Sequence, residues 1–492
     1  MAKIILTADR SVMNSFHQKG DVTAVWYGCA DSFPPSVFKI LAGEPQKNKN
    51  GEVLYAPYPL RKVEASITNR GLDVAVVSPK YLKKHLSKAR ILGIHTVNPL
   101  GLASDPIFRQ LMRNGDPYAM KYFFRLLKNP AIRQAKKRGL KIIVGGAGAW
   151  QLQRNPDIVK ELGIDCVVVG EAENIVGGII KEMLNGKPIP PIVECGKTDV
   201  PSIEDISCIH HASNSGCIEI GRGCVRGCKF CNVSKHTLRW IPLEIIEQEL
   251  KVNAAAGITQ GLLHAEDVLL YGQRGVIPDE QKFIRLLKLV KKYYHKVHFT
   301  HFSLAAVSAT PQLIPSCMNV LLDNQKFVLG EAGIETGSIR LLAQTMSGKI
   351  KPFDKKQWHE IIHKSLGILH DNWFIPYCSL ILGLPGETED DMYQTLCLLE
   401  ELKQYRCALL PINFTPIGQL SDKKGFSQTC DMFNDLHKQI IGVCNRQNIY
   451  WVKNMHQELF KKNRFRSVMN ILTKMRMLQF QRQALRYNLL AG

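Results

Sequence analysis

Cys224, Cys228 and Cys231 form a C-x-x-x-C-x-x-C set within Gly221-Arg222-Gly223-Cys224-Val225-Arg226-Gly227-Cys228-Lys229-Phe230-Cys231. Three soft thiolates in eight positions suit a metal centre, and three glycines let the backbone wrap closely round a bulky group. A four-iron cluster normally takes four thiolates. No fourth cysteine lies nearby at comparable spacing, so a cluster held here keeps one iron open to bind substrate. Three other readings compete. Structural zinc needs a fourth Cys or His at short spacing, and His236, five residues past Cys231, is the nearest candidate. A disulfide framework fits poorly with a long chain that shows no signal peptide. Buried inert thiols suit the cysteines scattered singly elsewhere, but not three in one glycine-rich loop.

The elements that must present this loop come in two series. Up to about residue 190, buried strands are expected at 3–7, 73–77, 91–96, 141–145 and 165–169, each bounded by Gly, Pro or polar residues. Leu60, Val63 and Ile67 mark a helical face between them, and 175–184 marks another. Strands alternating with helices predict a parallel, doubly wound, Rossmann-like sheet over 1–190. Ligands of such sheets lie outside the C-terminal strand ends, here occupied by Asn98, by Gly145 and Gly146, and by Gly170 and Glu171. Residues 10–57 form a long insertion after the first strand. Its Trp26, Tyr27, Cys29 and 31–35 segment suggest an ordered cap over the domain junction or a surface arm. The proline-rich stretch 188–201 reads as an interdomain connection, with the linker placed at 191–212.

A second series opens at 217–221, with the cysteine loop at its C-terminal end. Further strands are expected at 261–264, 297–305, 327–334, 375–382 and 408–414, with helical faces at Leu243, Ile246 and Leu250 and at Phe283, Leu287, Val290 and Tyr294. Six βα units predict a partial (β/α)6 TIM-like barrel over 213–420, with its chemistry at the strand ends. Residues 421–492 are expected to form a helical, basic C-terminal region.

At 492 residues, 45% of them hydrophobic, the chain is long enough for two or three domains. No apolar run approaches the about 18 residues of a membrane span, and the first residues read as a strand rather than a signal peptide. A cytoplasmic protein with no membrane partner is expected. Fourteen cysteines fit a reducing, oxygen-poor compartment. The net charge of +21 implies an acidic partner. From Lys461 onward there are eight Lys or Arg and no Asp or Glu, with Val468, Leu472 and Met475 at helical spacing. That tail suits a solvated helix packing one apolar face, or a substrate-docking element.

The cysteine loop, with Phe230 before its last cysteine, resembles the radical S-adenosylmethionine enzymes, whose C-x-x-x-C-x-aromatic-C loop holds a [4Fe-4S] cluster and leaves one iron to S-adenosylmethionine. Gly333-Ile334-Glu335-Thr336-Gly337-Ser338 is similar to that family's G-x-E-[ST]-G-S element, and Gly383-Leu384-Pro385-Gly386-Glu387-Thr388 to its G-x-P-G-E-T element. Thr415-Pro416-Ile417-Gly418 resembles its T-P-x-G turn. Glu266 and Asp267 stand where the family carries a polar cluster near the amino group of S-adenosylmethionine, although H-A-E-D departs from the common G-G-E form. The segments I-I-V-G-G-A-G-A and D-C-V-V-V-G-E-A-E look like the cobalamin-binding domain that precedes the radical domain in one subclass, class B. The resemblance covers roughly residues 60 to 420. It implies that Cys224, Cys228 and Cys231 bind the cluster. It implies that Phe230, Glu266, Asp267, Glu335, Gly383 and Pro385 lie at S-adenosylmethionine, and that Asn98, Gly145, Gly146, Gly170 and Glu171 lie at cobalamin. The D-x-H-x-x-G signature is missing, so His95 is a poor candidate for a cobalt ligand.

As the resemblance implies, a reduced cluster splits S-adenosylmethionine to a 5′-deoxyadenosyl radical, which removes hydrogen from an unactivated carbon. Methylcobalamin then gives that carbon its methyl group. Methylation of a protein or peptide with an acidic surface, served by an external one-electron reductant, is the leading expectation; an RNA substrate stays open. Ring-forming or natural-product enzymes and tRNA methylthiolation are the alternatives within the machinery. The last usually carries a second cysteine triad, for which Cys29, Cys166 and Cys195 are too widely separated. A non-catalytic cobalamin or nucleic-acid binding protein would have no need of an open iron. The T-A-D-R start, the A-P-Y-P-L-R-K-V-E-A helix and L-G-I-H-T-V-N-P-L-G-L look like a methanogen-associated group that includes a glutamine C-methyltransferase of methyl-coenzyme M reductase.

Overall fold

The computed structural model describes residues 2–14, 35–41, 43–104, 107, 115–233, 236–425, 433–459, 478, 481, 482 and 485. Its contacts divide into two compact units. The first takes Met1–Ala103, Arg113–Ile218 and Glu244–Thr259, the second Ser104–Met112, Glu219–Leu243 and Gln260–Gly492.

In the first unit β1 (Ile4–Ala8), β2 (Val74–Val76), β3 (Ile91–His95), β4 (Lys141–Gly145), β5 (Cys166–Val169) and β6 (Ile192–Glu194) form a parallel sheet in the order β2-β1-β3-β4-β5-β6. Successive residues alternate between its faces, and each face builds its own core. Ile5, Leu92, Ile94, Ile142, Val144 and Val167 pack with Leu126, Ile132, Leu152 and Val159, carried by the helices between residues 118 and 161. Ile4, Leu6, Ala8, Ile91, Ile143 and Val168 pack with Leu60, Ile67, Val176 and Ile179 of α1 (Tyr58–Thr68) and α2 (Val176–Leu184). The strand order reverses between β1 and β3, so the crevice of a doubly wound sheet opens at their C-terminal ends. Five strands stand where the sequence predicts them, shifted by at most a residue or two. β6 lies inside the expected linker, where Ile192, Val193 and Glu194 pair with Val167, Val168 and Val169. Proline tolerates such an edge position because one side of the strand makes no ladder bonds.

In the second unit β7 (Ile218–Glu219), β8 (Gln260–His264) and β9 (Lys296–Phe299) form one sheet in the order β9-β8-β7. β10 (His301–Phe302), β11 (Val328–Glu335), β12 (Phe374–Leu382) and β13 (Ala408–Asn413) form another, in that order. The strand expected over 297–305 breaks at Thr300 and ends at Ser303. Ser303 caps the helix Leu304–Ala309 by accepting from the Ala306 N–H. Gln325 ties the start of β9 to the residue before β11: its amide accepts from the Val297 N–H at 2.7 Å and donates to the carbonyls of Val297 and Phe327 at 3.0 Å. β9 and β10 are thus one interrupted strand, and the six βα units of the partial barrel are accounted for. The helix Asp435–Leu459 follows. Its Asn448 accepts from the Leu409 N–H at 2.8 Å and donates to the Leu409 carbonyl at 2.7 Å, pairing the otherwise open edge of β13.

The proposed cap at Trp26, Tyr27, Cys29 and 31–34 and the apolar stripe Val468, Leu472 and Met475 lie outside the described residues. No helix of the described residues is long and apolar enough to cross a membrane.

Candidate active site

The cysteine loop leaves the first strand of the second unit, and its shape is set by the elements that clamp it. The Lys229 N–H donates to the Thr345 carbonyl at 2.8 Å, and the Lys229 carbonyl accepts from the Gln419 N–H at 2.7 Å. The Gly418 N–H donates to Asn232 Oδ1 at 2.8 Å. A Cβ on Gly418 would stand 2.7 Å from the Lys229 carbonyl oxygen and 2.8 Å from that of Cys231; one on Gly348 would stand 1.9 Å from that of Arg226. Both positions therefore need glycine to let backbone meet backbone. The T-P-I-G turn thus serves as the wall against which the loop is pressed.

Arg226, between the first two cysteines, is buried and reaches away from them. Its guanidinium donates to Asp267 Oδ2 at 3.1 Å, to Ser303 Oγ at 2.6 Å and to the Lys351 carbonyl at 2.5 Å. Asp267 also accepts from the Ser303 N–H at 3.2 Å and from Ser303 Oγ at 2.6 Å. Its carboxylate is thereby committed to holding the loop, while Glu266 beside it is only half-buried. Nothing in the H-A-E-D pattern signals that Arg226 is the partner, because the pair joins residues 41 apart.

Cys228 is buried, Cys224 and Cys231 are half-buried, and none forms a disulfide. Burial pushes the Cys224 thiol up to about 12, against the Arg226 N–H that donates to its sulfur at 3.4 Å. Burial likewise raises the Cys228 thiol, with the Lys349 charge opposing. Thiols so raised are neutral at pH 7, so a metal centre held here would have to displace their protons. Among the described residues no three His, Cys, Asp or Glu side chains converge on one point as a single metal ion requires, and this covers the cysteines taken with His236. A four-iron cluster asks for no such convergence, since each thiolate takes a different iron.

Glu335, at the end of β11, has φ +64, a conformation that costs a non-glycine residue roughly 1–3 kcal/mol. The turn brings its carboxylate to Lys349 Nζ at 2.7 Å and Ser379 Oγ at 3.2 Å. The G-x-E-T-G-S and G-x-P-G-E-T elements are joined through Asp391, which accepts from Arg340, from Ser338 Oγ and from Thr388. The Gly383 N–H donates to Glu387 at 2.8 Å, and Pro385 and Phe230 stay half-buried.

In the first unit Asn98 and Gln151 build the loop after β3. Asn98 Oδ1 accepts from Gln151 Nε2 at 2.8 Å and from the Ala103 N–H at 3.1 Å, while Gln151 Oε1 accepts from the Leu100 N–H at 2.9 Å. Gln151 escaped the sequence reading, for it sits in no motif. Gly146 has φ +105, and a Cβ there would stand 2.4 Å from His95 Nδ1; at Gly145 the nearest atom would be 3.5 Å away. Gly170 also has positive φ, and Glu171 beside it is half-buried. Burial pushes His95 down to about 4, so its ring is neutral.

Residues 218–399 match the family model described as the radical SAM superfamily. Over 219 residues the chain is 26% identical to the ribosomal protein uS12 methylthiotransferase RimO of Thermotoga petrophila, covering 42% of this chain and 44% of that protein. Over 319 residues it is 23% identical to the tRNA-2-methylthio-N(6)-dimethylallyladenosine synthase of Corynebacterium diphtheriae, covering 59% and 56%. The chain thus spans about half the length of these curated relatives. Among solved structures it is similar to TsrM of Kitasatospora setae, a radical S-adenosylmethionine methyltransferase with cobalamin and a [4Fe-4S] cluster bound. The TM-score is 0.55 at 13% identity, over 85% of this chain and 77% of that one. At that identity the likeness is one of fold. This chain therefore carries a radical SAM domain at residues 218–399, within an α/β fold shared with TsrM.

Proposed function

We propose that this chain is a cobalamin-dependent radical S-adenosylmethionine methyltransferase that methylates an unactivated carbon in a protein or peptide. One conjunction carries the reading: three cysteines outside any disulfide, clamped at the first strand end of a partial barrel, in a chain that also contains a doubly wound sheet with glycine-rich strand ends. When bound, the cluster and S-adenosylmethionine supply a hydrogen-abstracting radical, and methylcobalamin supplies the methyl group.

The chain's own residues have three tasks in this reading. Cys224, Cys228 and Cys231 would hold the cluster, with Arg226, Asp267 and Ser303 fixing the loop and Lys349 offsetting thiolate charge. Glu266, Glu335, Gly383, Pro385 and Phe230 would line the S-adenosylmethionine site. Asn98, Gly145, Gly146, Gly170 and Glu171 would face cobalamin, with no histidine on cobalt because neutral His95 is packed under Gly146. An external one-electron reductant completes the set. The names of the curated relatives favour a second reading, methylthiolation of a ribosomal protein or of tRNA.

Anaerobic reconstitution tests the first reading. One four-iron cluster and one cobalamin are expected per chain, and Cys224→Ala, Cys228→Ala or Cys231→Ala should each abolish the cluster by iron and sulfide analysis. Full cluster content in any of them would remove the reading. Comparing the proteome and the modified nucleosides of a deletion strain with wild type then separates the alternatives. A peptide losing a methyl group supports methylation, and on glutamine it supports the narrower methanogen-type resemblance. A methylthio group lost from tRNA or a ribosomal protein supports the second reading.

A further inference from the structure

One face of the first unit gathers cations that the candidate active site does not use. Between Asp73 and Asp105 the sequence has five Lys or Arg and no Asp or Glu, and between Asp116 and Asp157 it has nine and none. The fold brings both stretches to the same side of the parallel sheet. Leu82 and Leu86 from the first, and Phe123, Leu126, Ile132 and Ala135 from the second, pack in one core with Ile5, Leu92 and Ile142. Burying that side of each helix turns the other side to solvent. The helix Leu82–His85 exposes Lys83 and Lys84, and the helix Tyr118–Leu127 exposes Lys121 and Arg125, with Lys128 exposed at its C-cap. The helix Pro130–Lys137 exposes Arg133 and Lys137, with Arg138 exposed at its C-cap. None of these eight side chains has a carboxylate partner among the described residues, for Asp165 takes Lys136 and Lys141, at 2.5 and 3.4 Å.

The chemistry of this face selects its partner. The exposed large apolar side chains of the described residues all lie outside 80–90 and 118–141, so the face lacks the apolar anchors on which protein interfaces rest. Its rings are already covered: Lys84 lies 5.4 Å over Tyr81, Arg125 5.2 Å over Tyr122 and Lys128 5.4 Å over Phe124. Rings so occupied offer no platform for unpaired bases. Each helix is held to the sheet by its apolar side, so none can enter the roughly 12 Å major groove as a base-reading helix does. A broad layer of unpaired cations without anchors, platforms or an insertable helix suits a phosphate backbone.

We propose that this face docks the backbone of paired RNA without reading its sequence. A-form RNA is bound mostly by its shape and by contacts to phosphates and 2′-hydroxyls across a wide, shallow minor groove. Such a groove asks the protein for a broad cationic face and for no inserted helix. The RNA is a docking partner and not the methyl acceptor, so the inference stands apart from the methyltransferase reading.

Fluorescence anisotropy of the full-length protein with a labelled RNA duplex of about 20 base pairs tests this. Affinity should fall about 10³-fold or more between 50 and 200 mM salt, the response of roughly six or more phosphate contacts. Combining Lys84→Glu, Arg133→Glu and Lys137→Glu should weaken binding about tenfold or more and reduce the salt slope by about 3. Combining Lys288→Glu, Lys355→Glu and Lys356→Glu, equally exposed in the second unit, changes the net charge by the same amount and should leave affinity within about twofold. Should the first variant fail to fold, Lys121→Glu with Arg125→Glu carries the same expectation. Equal losses in the two sets would assign the effect to overall charge and overturn the inference. So would no binding, an equal or higher affinity for a DNA duplex of the same length, which lacks the 2′-hydroxyls, or an equal or higher affinity for poly-glutamate.

Discussion

Lys349 shows how much of a site can rest on a residue that no motif marks. Burial alone would favour the neutral amine, but the Glu335 carboxylate holds it as an ammonium, and the Cys228 and Cys224 sulfurs add to this once ionised. A cation beside a cluster favours the more negative, reduced state. Lys349→Met is therefore expected to make the reconstituted cluster harder to reduce, by about 59 mV for each tenfold change in the one-electron equilibrium. Anaerobic redox titration measures this, and an unchanged potential would show that the charge is screened from the metal. At the other strand end, Gly145 and Gly146 look equivalent in G-G-A-G-A. Their surroundings separate them: only Gly146 combines positive φ with a 2.4 Å approach to His95. Gly146→Ala should cost the first unit about 1–3 kcal/mol in urea unfolding, and Gly145→Ala under about 1 kcal/mol. The type of residue at these positions was legible in the sequence. Which glycine is indispensable was not, because the clash is with residues about fifty positions away.

Among elements, the junction of the G-x-E-T-G-S and G-x-P-G-E-T turns depends on Asp391. Burial would raise its carboxyl, but hydrogen bonds from Arg340, Ser338 and Thr388 outweigh burial and hold it well below the ordinary carboxylate range. Since its folded value lies below the unfolded one of about 3.9, the stabilisation is present above that pH and is lost as pH falls through the folded value. Acid unfolding of the wild type should therefore steepen below about pH 4, and Asp391→Asn should flatten that limb. At neutral pH the variant should be about 2–4 kcal/mol less stable, chiefly through the bonds from Ser338 and Thr388, as Arg340 is half-exposed. Calorimetry across that pH range reads both effects. Strand periodicity located nearly all the elements. It could not show that 297–305 is broken, since Ser303 chooses helix-capping over strand pairing, nor that Gln325 and Asn448 complete ladders from outside, because side chain to backbone pairs across tens of residues leave no periodic trace.

For the whole molecule, the charge of +21 was counted from the sequence as attraction to an acidic partner, and the salt dependence of acceptor binding tells which kind. With an acidic protein the affinity should fall only moderately between 50 and 200 mM salt, because apolar contact persists. An RNA acceptor making 6–10 phosphate contacts would lose about 10³–10⁵ over that range. Fluorescence titration of the identified acceptor reads the slope. The sequence by itself determined the cysteine triad, the order of strands and helices, and hence two α/β units, since these follow from local spacing and from alternation of apolar residues. Tertiary structure alone decided that Asp267 anchors Arg226, that Gly348 and Gly418 clamp the cysteine loop, and that Lys349, paired with Glu335, lies within electrostatic range of Cys228 and Cys224. Each of these depends on which distant strand lies beside which, and that is fixed by the packing of the whole sheet and not by any one segment.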